Sequence, residues 1–108
     1  MAGQQVVDLP SLVIGSGGST SNHLGFFDDA LALWIYAPAS LDGTCTLEVE
    51  PSSTGTSFVI QQSGGSDVTI PAGKATPLSP IGFRQMRITS AAAESAARTF
   101  RVTKAIVV

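Results

Sequence analysis

The sequence is poor in the residues that carry most site chemistry. It contains one cysteine, one histidine, one tryptophan and one tyrosine, and only 13% of its 108 residues are charged. Cys45 cannot form an intrachain disulfide, and we predict that it is a small buried hydrophobe. His23, with Asp28 and Asp29 close in sequence, falls short of the three or four matched ligands of a metal site. We therefore expect no metal, no cofactor and no enzyme activity.

Two patterns that resemble ligand-binding motifs are incomplete. The Gly-rich stretch GSGGSTSNHLG, residues 15–25, has no lysine of the P-loop type, and a strand pattern follows it where a dinucleotide fold needs a helix. Glu48 and Glu50 would lie about 7 Å apart on one strand face, a separation that glycosidases use. Exposed acids on a strand are common, however, and few aromatics are present to line a sugar cleft. We interpret both patterns as non-catalytic.

Positive charge is missing from the first two thirds of the chain. Residues 1–73 hold seven acids and no Lys or Arg, whereas residues 74–108 hold six cations and only Glu94, so −7 and +5 give the net −2. The two sets either interleave on adjacent strands or form two poles that favour contacts between subunits. A net acidic chain whose arginines divide between faces is not expected to bind nucleic acid.

Long apolar runs are also absent. No stretch approaches the roughly 18 apolar residues of a membrane span. The N-terminus lacks the basic region of a signal peptide, and Asp8 and Pro10 interrupt its apolar residues. We expect a protein that is made in a cytoplasm and does not enter a membrane.

Alternation of side chains predicts an all-β fold. In ALALWIYAP both sets are apolar, with Leu33 and Ile35 on one face and Trp34 and Tyr36 on the other. In GTCTLEVE, the residues Cys45, Leu47 and Val49 are predicted to face inward, and Thr46, Glu48 and Glu50 outward. Seven or eight short strands separated by turn residues indicate a single antiparallel β-sandwich or jelly-roll-like domain.

The N-terminal segment is predicted to extend from this sandwich. We assign residues 1–25 to an arm with a Gly/Ser-rich tether and residues 26–108 to the β-sandwich domain. The apolar stretch QQVVDLPSLVIG is expected to pack on another subunit or against the sandwich edge. Deletion of residues 1–14 is then expected to weaken assembly and to leave the sandwich folded.

The stretch RQMRITSAAAESAARTFRV is predicted to be a hairpin. Its alanine-rich part is about eight residues long, too short for an isolated helix, although Ser90 could cap one turn. Arg84 and Arg87 would lie on one strand and Arg98 and Arg101 on its partner, and a spacing of three places each pair on opposite faces. We expect at least one of them to pair with an acid from residues 1–73, since Arg suits two-pronged contact with carboxylates.

The segments SDVTIPAGKATPLSPIGFRQMRITS and ARTFRVTKAIV resemble small β-sandwich proteins encoded among the structural genes of tailed bacteriophages. The resemblance covers roughly residues 30–108 and lies in strand order and in phrases such as VTIPAGK, with no catalytic signature. It implies a virion structural protein without enzyme activity, a head decoration or cement subunit or a tail or adaptor component, assembled in the host bacterial cytoplasm. Its expected partners are other virion proteins, above all the major capsid protein, and copies of itself in a homo-oligomer.

A carbohydrate- or receptor-binding module is the alternative, because Trp34 and Tyr36 could stack against sugar rings. Exposure separates the two hypotheses: aromatics that line an open groove favour sugar, and aromatics covered by a neighbour favour assembly. The predicted interface residues are Val6, Val7, Leu9, Leu12, Trp34, Tyr36, Arg84, Arg87, Arg98 and Arg101.

Overall fold

A computed structural model of the chain describes residues 4–25, 30–50, 58–60, 66–78 and 85–107. These residues form seven strands and no helix: β1 Gln4–Ile14, β2 Ala32–Tyr36, β3 Cys45–Glu50, β4 Phe58–Val59, β5 Ala75–Leu78, β6 Gln85–Ser90 and β7 Arg98–Val107. A membrane-spanning helix is therefore not found in the described ranges.

The strands form two antiparallel sheets. The four-stranded sheet has the order β1-β7-β2-β5, and the three-stranded sheet has the order β4-β3-β6. Residues 20–24 extend the second sheet beside β6, through the bridges Thr20↔Thr89 and Leu24↔Met86. The prediction of an all-β sandwich is confirmed.

The pairing pattern is that of a rolled hairpin. If residues 20–24 are counted as a strand, the first strand pairs with the last and the second with the one before the last. The remaining pairs, β2 with β5 and β3 with β4, continue the series inward. This nesting is jelly-roll-like, and it places β1 at one edge of the four-stranded sheet.

The core lies between the two sheets and comes from their inward-facing positions. Leu33, Ile35, Phe100 and Val102 are buried on the four-stranded sheet, as the alternation of β2 and β7 predicts. The opposing sheet contributes the buried side chains Cys45, Leu47, Met86 and Ile88. The prediction that Cys45 is a buried hydrophobe is confirmed.

The N-terminal segment joins the sandwich itself. β1 pairs with β7 from Gln4↔Val107 to Ile14↔Arg98, interrupted by a bulge between Leu9 and Leu12. Leu12 and Ile14 are both 0% exposed, and residues 20–24 of the expected tether lie against β6. Of the two placements that the sequence allowed for residues 1–14, the described part takes the sandwich edge.

The prediction of a hairpin at RQMRITSAAAESAARTFRV is wrong. β6 belongs to the three-stranded sheet, where it pairs with β3, whereas β7 pairs with β1 and β2 in the other sheet. The connection at residues 91–97 therefore crosses between sheets. The physical reason is Glu94, whose buried carboxylate ties the connection to two other loops, as described below.

Candidate interface on the four-stranded sheet

The four-stranded sheet has one face on the core and one face that points away from it. In an antiparallel sheet, residues opposite each other in register share a face. On the side away from the core, which we call the outer face, the register gives three rows that cross at least three strands. The rows are Val6–Ala105–Ala32, Asp8–Thr103–Trp34–Pro77 and Arg101–Tyr36–Ala75.

The outer face is mostly apolar, and its centre is built from small residues. Ala105 and Thr103 on this face are only 3% and 4% exposed. Val6 is 64% exposed and Tyr36 is 40% exposed, while Trp34 is half-buried. The result is a shallow apolar surface with an aromatic border.

Polar groups on the outer face are few and mutually paired. Arg101 Nη2 lies 2.9 Å from Asp8 Oδ1, and both side chains are 66% exposed. Thr103 Oγ1 donates to the hydroxyl oxygen of Tyr36 at 3.5 Å. Among the described residues of this face, one acidic and one basic side chain are present, and their charges cancel.

The structure brings together four of the predicted interface residues on the outer face: Val6, Trp34, Tyr36 and Arg101. The other predicted residues lie elsewhere. Val7, Leu9 and Leu12 point to the core side of β1, and Leu12 is fully buried there. Arg87 lies on the three-stranded sheet, Arg98 lies at one end of the sandwich, and Arg84 falls outside the described residues.

The arginine pairing expected from charge distribution is confirmed. Arg87 pairs with Glu48, Arg98 with Asp42, and Arg101 with Asp8, so each reaches an acid from residues 1–73. The predicted division of faces on β7 also holds. Arg98 is opposite the buried Ile14, and Arg101 is on the outer face.

A second cluster, which we call the latch, lies at the Arg98 end of the sandwich. The Glu94 carboxylate is 0% exposed and accepts hydrogen bonds from four groups. The donors are the backbone N–H groups of Asp42 (2.9 Å) and Gly43 (3.1 Å), Ser90 Oγ (2.8 Å) and Arg98 Nε (2.9 Å). Its backbone also exchanges hydrogen bonds with Gly17 and Gly18. One buried acid thereby joins three loops, a role that its position in an alanine-rich segment did not reveal.

Gly43 is required in the latch for steric reasons. A Cβ at this position would lie 2.5 Å from the backbone nitrogen of Ala92 and 2.6 Å from Ser90 Oγ. Any side chain would push the connection away from the loop at residues 41–44. The two hydrogen bonds that this loop donates to Glu94 depend on that close approach.

The latch also sets carboxyl pKa values. Burial alone would raise the pKa of Glu94, but the hydrogen bonds from Asp42, Ser90, Arg98 and Gly43 outweigh it and lower the pKa from 4.5 to about 2. Hydrogen bonds from Ser95 lower the pKa of Asp42, whose Oδ2 accepts from the Ser95 N–H at 2.6 Å. Glu94 therefore stays ionised in the folded protein well into the acidic range, and the pKa of Asp42 is lowered in the same direction.

The folded protein should lose stability on acidification because of these groups. The unfolded chain binds protons at the ordinary carboxyl pKa, near 4.5 for Glu94, while the folded chain does so only near 2. Between these values the unfolded state holds more protons, so the free energy of unfolding falls as the pH falls through that window. Urea unfolding followed by circular dichroism should give midpoints that are flat from neutral pH to about 5 and decrease progressively below it. A midpoint that does not change down to pH about 2 would contradict the assignment.

The outer side of the β3–β6 pair is polar. Glu48 Oε1 accepts hydrogen bonds from Thr89 Oγ1 and from Arg87 Nε at 2.5 and 2.8 Å, and the Thr89 contact is the main cause that lowers the pKa of Glu48.

His23 Nε2 lies 2.8 Å from Glu50 Oε1. The prediction that Glu50 is exposed is wrong, because this carboxylate is buried with His23 against it. Asp28 and Asp29, the other acids near His23 in sequence, fall outside the described residues.

A cleft of about 420 Å³ lies beside the latch, between the loops at residues 41–45 and 69–72. Its one acid, Asp42, is already engaged by Ser95 and Arg98. Across the described ranges, no group of three or more His, Cys, Asp or Glu is arranged to hold a metal ion. We therefore take the outer face as the candidate interface.

Comparisons with known proteins do not assign the chain. A scan against protein-family models finds no match, and a search of curated protein sequences finds none either. The function must therefore be inferred from the residues and the fold.

Proposed function

We propose that this chain is a non-enzymatic structural subunit of a tailed-bacteriophage particle, a decoration subunit that attaches to the capsid through the outer face. The observation that carries the proposal is the exposure of Val6 and Tyr36 on the sheet face that also carries Trp34. Such a patch in water favours association, since apolar surface gains free energy when it is buried. Aromatic side chains at its border are the residue types that dominate protein interfaces.

The fold and the sequence support the same role. Jelly rolls are a common architecture of viral capsid domains and of lectins. The phrases SDVTIPAGK and FRQMRI resemble small virion sandwiches, and the sequence is rich in Gly and low in charge. Mass spectrometry of purified particles tests the proposal directly, because the protein must be present in mature virions. Its absence from them would reject the role.

Substitution of Tyr36 by Ala should weaken binding to the particle. Tyr36 is 40% exposed, so its removal leaves the core intact. Truncation of an aromatic side chain that anchors an interface costs about 2 kcal/mol or more, which corresponds to roughly 30-fold in affinity. The measurement is cosedimentation of the purified variant with particles that lack the protein.

Phe58→Ala is the matched control for that experiment. Phe58 is 57% exposed but lies on β4, in the other sheet. We expect Phe58→Ala to bind like the unsubstituted protein. Equal loss in both variants, or loss only in Phe58→Ala, would remove the outer face from the interface.

Carbohydrate binding is the second candidate, because Trp34 and Tyr36 lie on one strand face. Residues two apart on a strand are about 7 Å apart, a distance that suits stacking on neighbouring sugar rings. Trp34 is the only tryptophan, so its fluorescence reports on this face alone. Saturable quenching by an oligosaccharide, without cosedimentation with capsids, would favour the lectin-like role over decoration.

A further inference from the structure

The sandwich has four sheet edges, and three of them are covered or short. β6 is covered by residues 20–24: Leu24 exchanges backbone hydrogen bonds with Met86, and the Ser21 N–H donates to the Ile88 carbonyl. β4 has two residues, and β5 has four residues including Pro77. Short strands and proline are the usual means by which proteins prevent pairing between sheet edges.

The fourth edge, β1, is protected over only half of its length. Asn22 occupies the edge after the bulge, where its Oδ1 accepts from the Val13 N–H at 2.7 Å and its Nδ2 donates to the Ser11 carbonyl at 3.3 Å. Pro10 has no N–H to offer. Among the described residues, nothing pairs with the outward side of residues 4–9.

The backbone groups that face this open edge can be identified. The Leu31 N–H donates to the Ala105 carbonyl at 2.8 Å, so the backbone of Ala105 points toward the β2 side. In an antiparallel pair, opposite residues either both point toward each other or both point away. Ala105 is opposite Val6, so the N–H and C=O of Val6 point away from β7, as do those of Asp8 and Gln4.

We propose that residues 4–9 of β1 pair with the same residues of a second copy of this chain, antiparallel about a two-fold axis at Val6. This register places Val6 opposite Val6 of the partner subunit and residue 8 opposite residue 4. About six backbone hydrogen bonds then form, two in each of three residue pairs. It also keeps the two Asp8 carboxylates from facing each other, which a two-fold axis at Asp8 would impose.

The pairing explains the exposure of Val6 and enlarges the candidate interface. The two four-stranded sheets become one continuous sheet, and the two outer faces lie on the same side of it. The pairing itself rests on the geometry of the edge, and only the use of the doubled face to bind a capsid rests on the proposed function. A two-fold contact also suits the strand, since each copy presents the same donors and acceptors.

Sedimentation equilibrium over a wide concentration range tests the proposal with Val6→Pro and Val6→Thr. Proline removes the central outward N–H without removing a hydrogen bond to β7, so the monomer keeps its fold. Two hydrogen bonds are lost in the symmetric pair, and we expect a dimer dissociation constant about 100-fold higher. Val6→Thr keeps the N–H and should dimerise like the unsubstituted chain.

Hydrogen exchange of the unsubstituted chain supplies a measurement that does not depend on the variants. The Val6 and Asp8 amides should become protected as concentration rises, while the Val7 amide is protected at all concentrations. A chain that stays monomeric, or a Val6→Pro variant that dimerises with unchanged affinity, would overturn the proposal. Dimers that do not bind particles would reject the proposed function alone, and monomers that bind particles would reject this inference alone.

Discussion

Deletion of residues 1–14 should unfold the sandwich. β1 is the neighbour of β7 on one side and pairs with it from Gln4↔Val107 to Ile14↔Arg98. Its side chains Leu12 and Ile14 are completely buried. Removing one large aliphatic side chain from a core costs about 2–5 kcal/mol, and a domain has only about 5–15 kcal/mol of stability in total. Loss of two such side chains together with a whole strand exceeds that margin. The sequence had suggested the opposite result, a folded sandwich without its arm.

Circular dichroism and the fluorescence of Trp34 provide the measurement, since Trp34 lies on β2, next to β7. The control is a chain without residues 1–3, which leaves β1 whole and should keep the native signals and the same cooperative melting transition. A truncated chain that lacks residues 1–14 and still melts cooperatively would show that the core closes without β1. That result would support the assignment of residues 1–25 to an arm and tether.

Substitution of Glu94 by Ala should destabilise the protein by about 3–5 kcal/mol, the usual result of removing one partner of a buried ion pair. The change leaves the Arg98 guanidinium, which is only 14% exposed, with Asp42 as its one acidic partner. It also leaves the backbone N–H groups of Asp42 and Gly43 without their acceptor. A buried donor that has lost its acceptor destabilises the folded state by more free energy than its hydrogen bond had contributed.

Urea unfolding at neutral pH measures this loss, and Arg101→Ala is the matched control. The Arg101–Asp8 pair is 66% exposed on both sides, so its loss should change the free energy of unfolding by about 0–1 kcal/mol. If the two substitutions lowered the free energy of unfolding by similar amounts, the burial of Glu94 would make no extra contribution to stability. The Glu94 variant should also lose much of the acid sensitivity of the midpoint, because the most depressed carboxyl pKa is gone.

Features set by local alternation were predictable from the sequence. The inward positions of Leu33, Ile35, Cys45 and Leu47 follow from the two-residue period of a strand, and the structure buries all four. Glu50 shows the limit of that reasoning. Alternation tells which side of a sheet a residue is on, but burial on the outer side depends on what lies above it, here His23 from a distant segment.

Features set by partner choice were not predictable. Two strands joined by a short connection usually form a hairpin, yet β6 and β7 belong to different sheets because Glu94 anchors their connection to loops about 50 to 80 residues earlier. The candidate interface was partly foreseeable. Trp34 and Tyr36 share a face by spacing alone, whereas their placement on the same face as Val6 and Arg101 depends on the register of β1 and β2 with β7.

The pairing of the first strand with the last has a consequence for synthesis of the protein. Gln4 finds its partner only when the ribosome has made Val107, so the four-stranded sheet cannot close before the last of its strands has been made. Contacts of such long sequence separation make β-sandwiches slow folders, on a scale of about milliseconds to seconds. During that interval Leu12 and Ile14 remain open to solvent, and the newly made chain is exposed to association with its neighbours before it is folded.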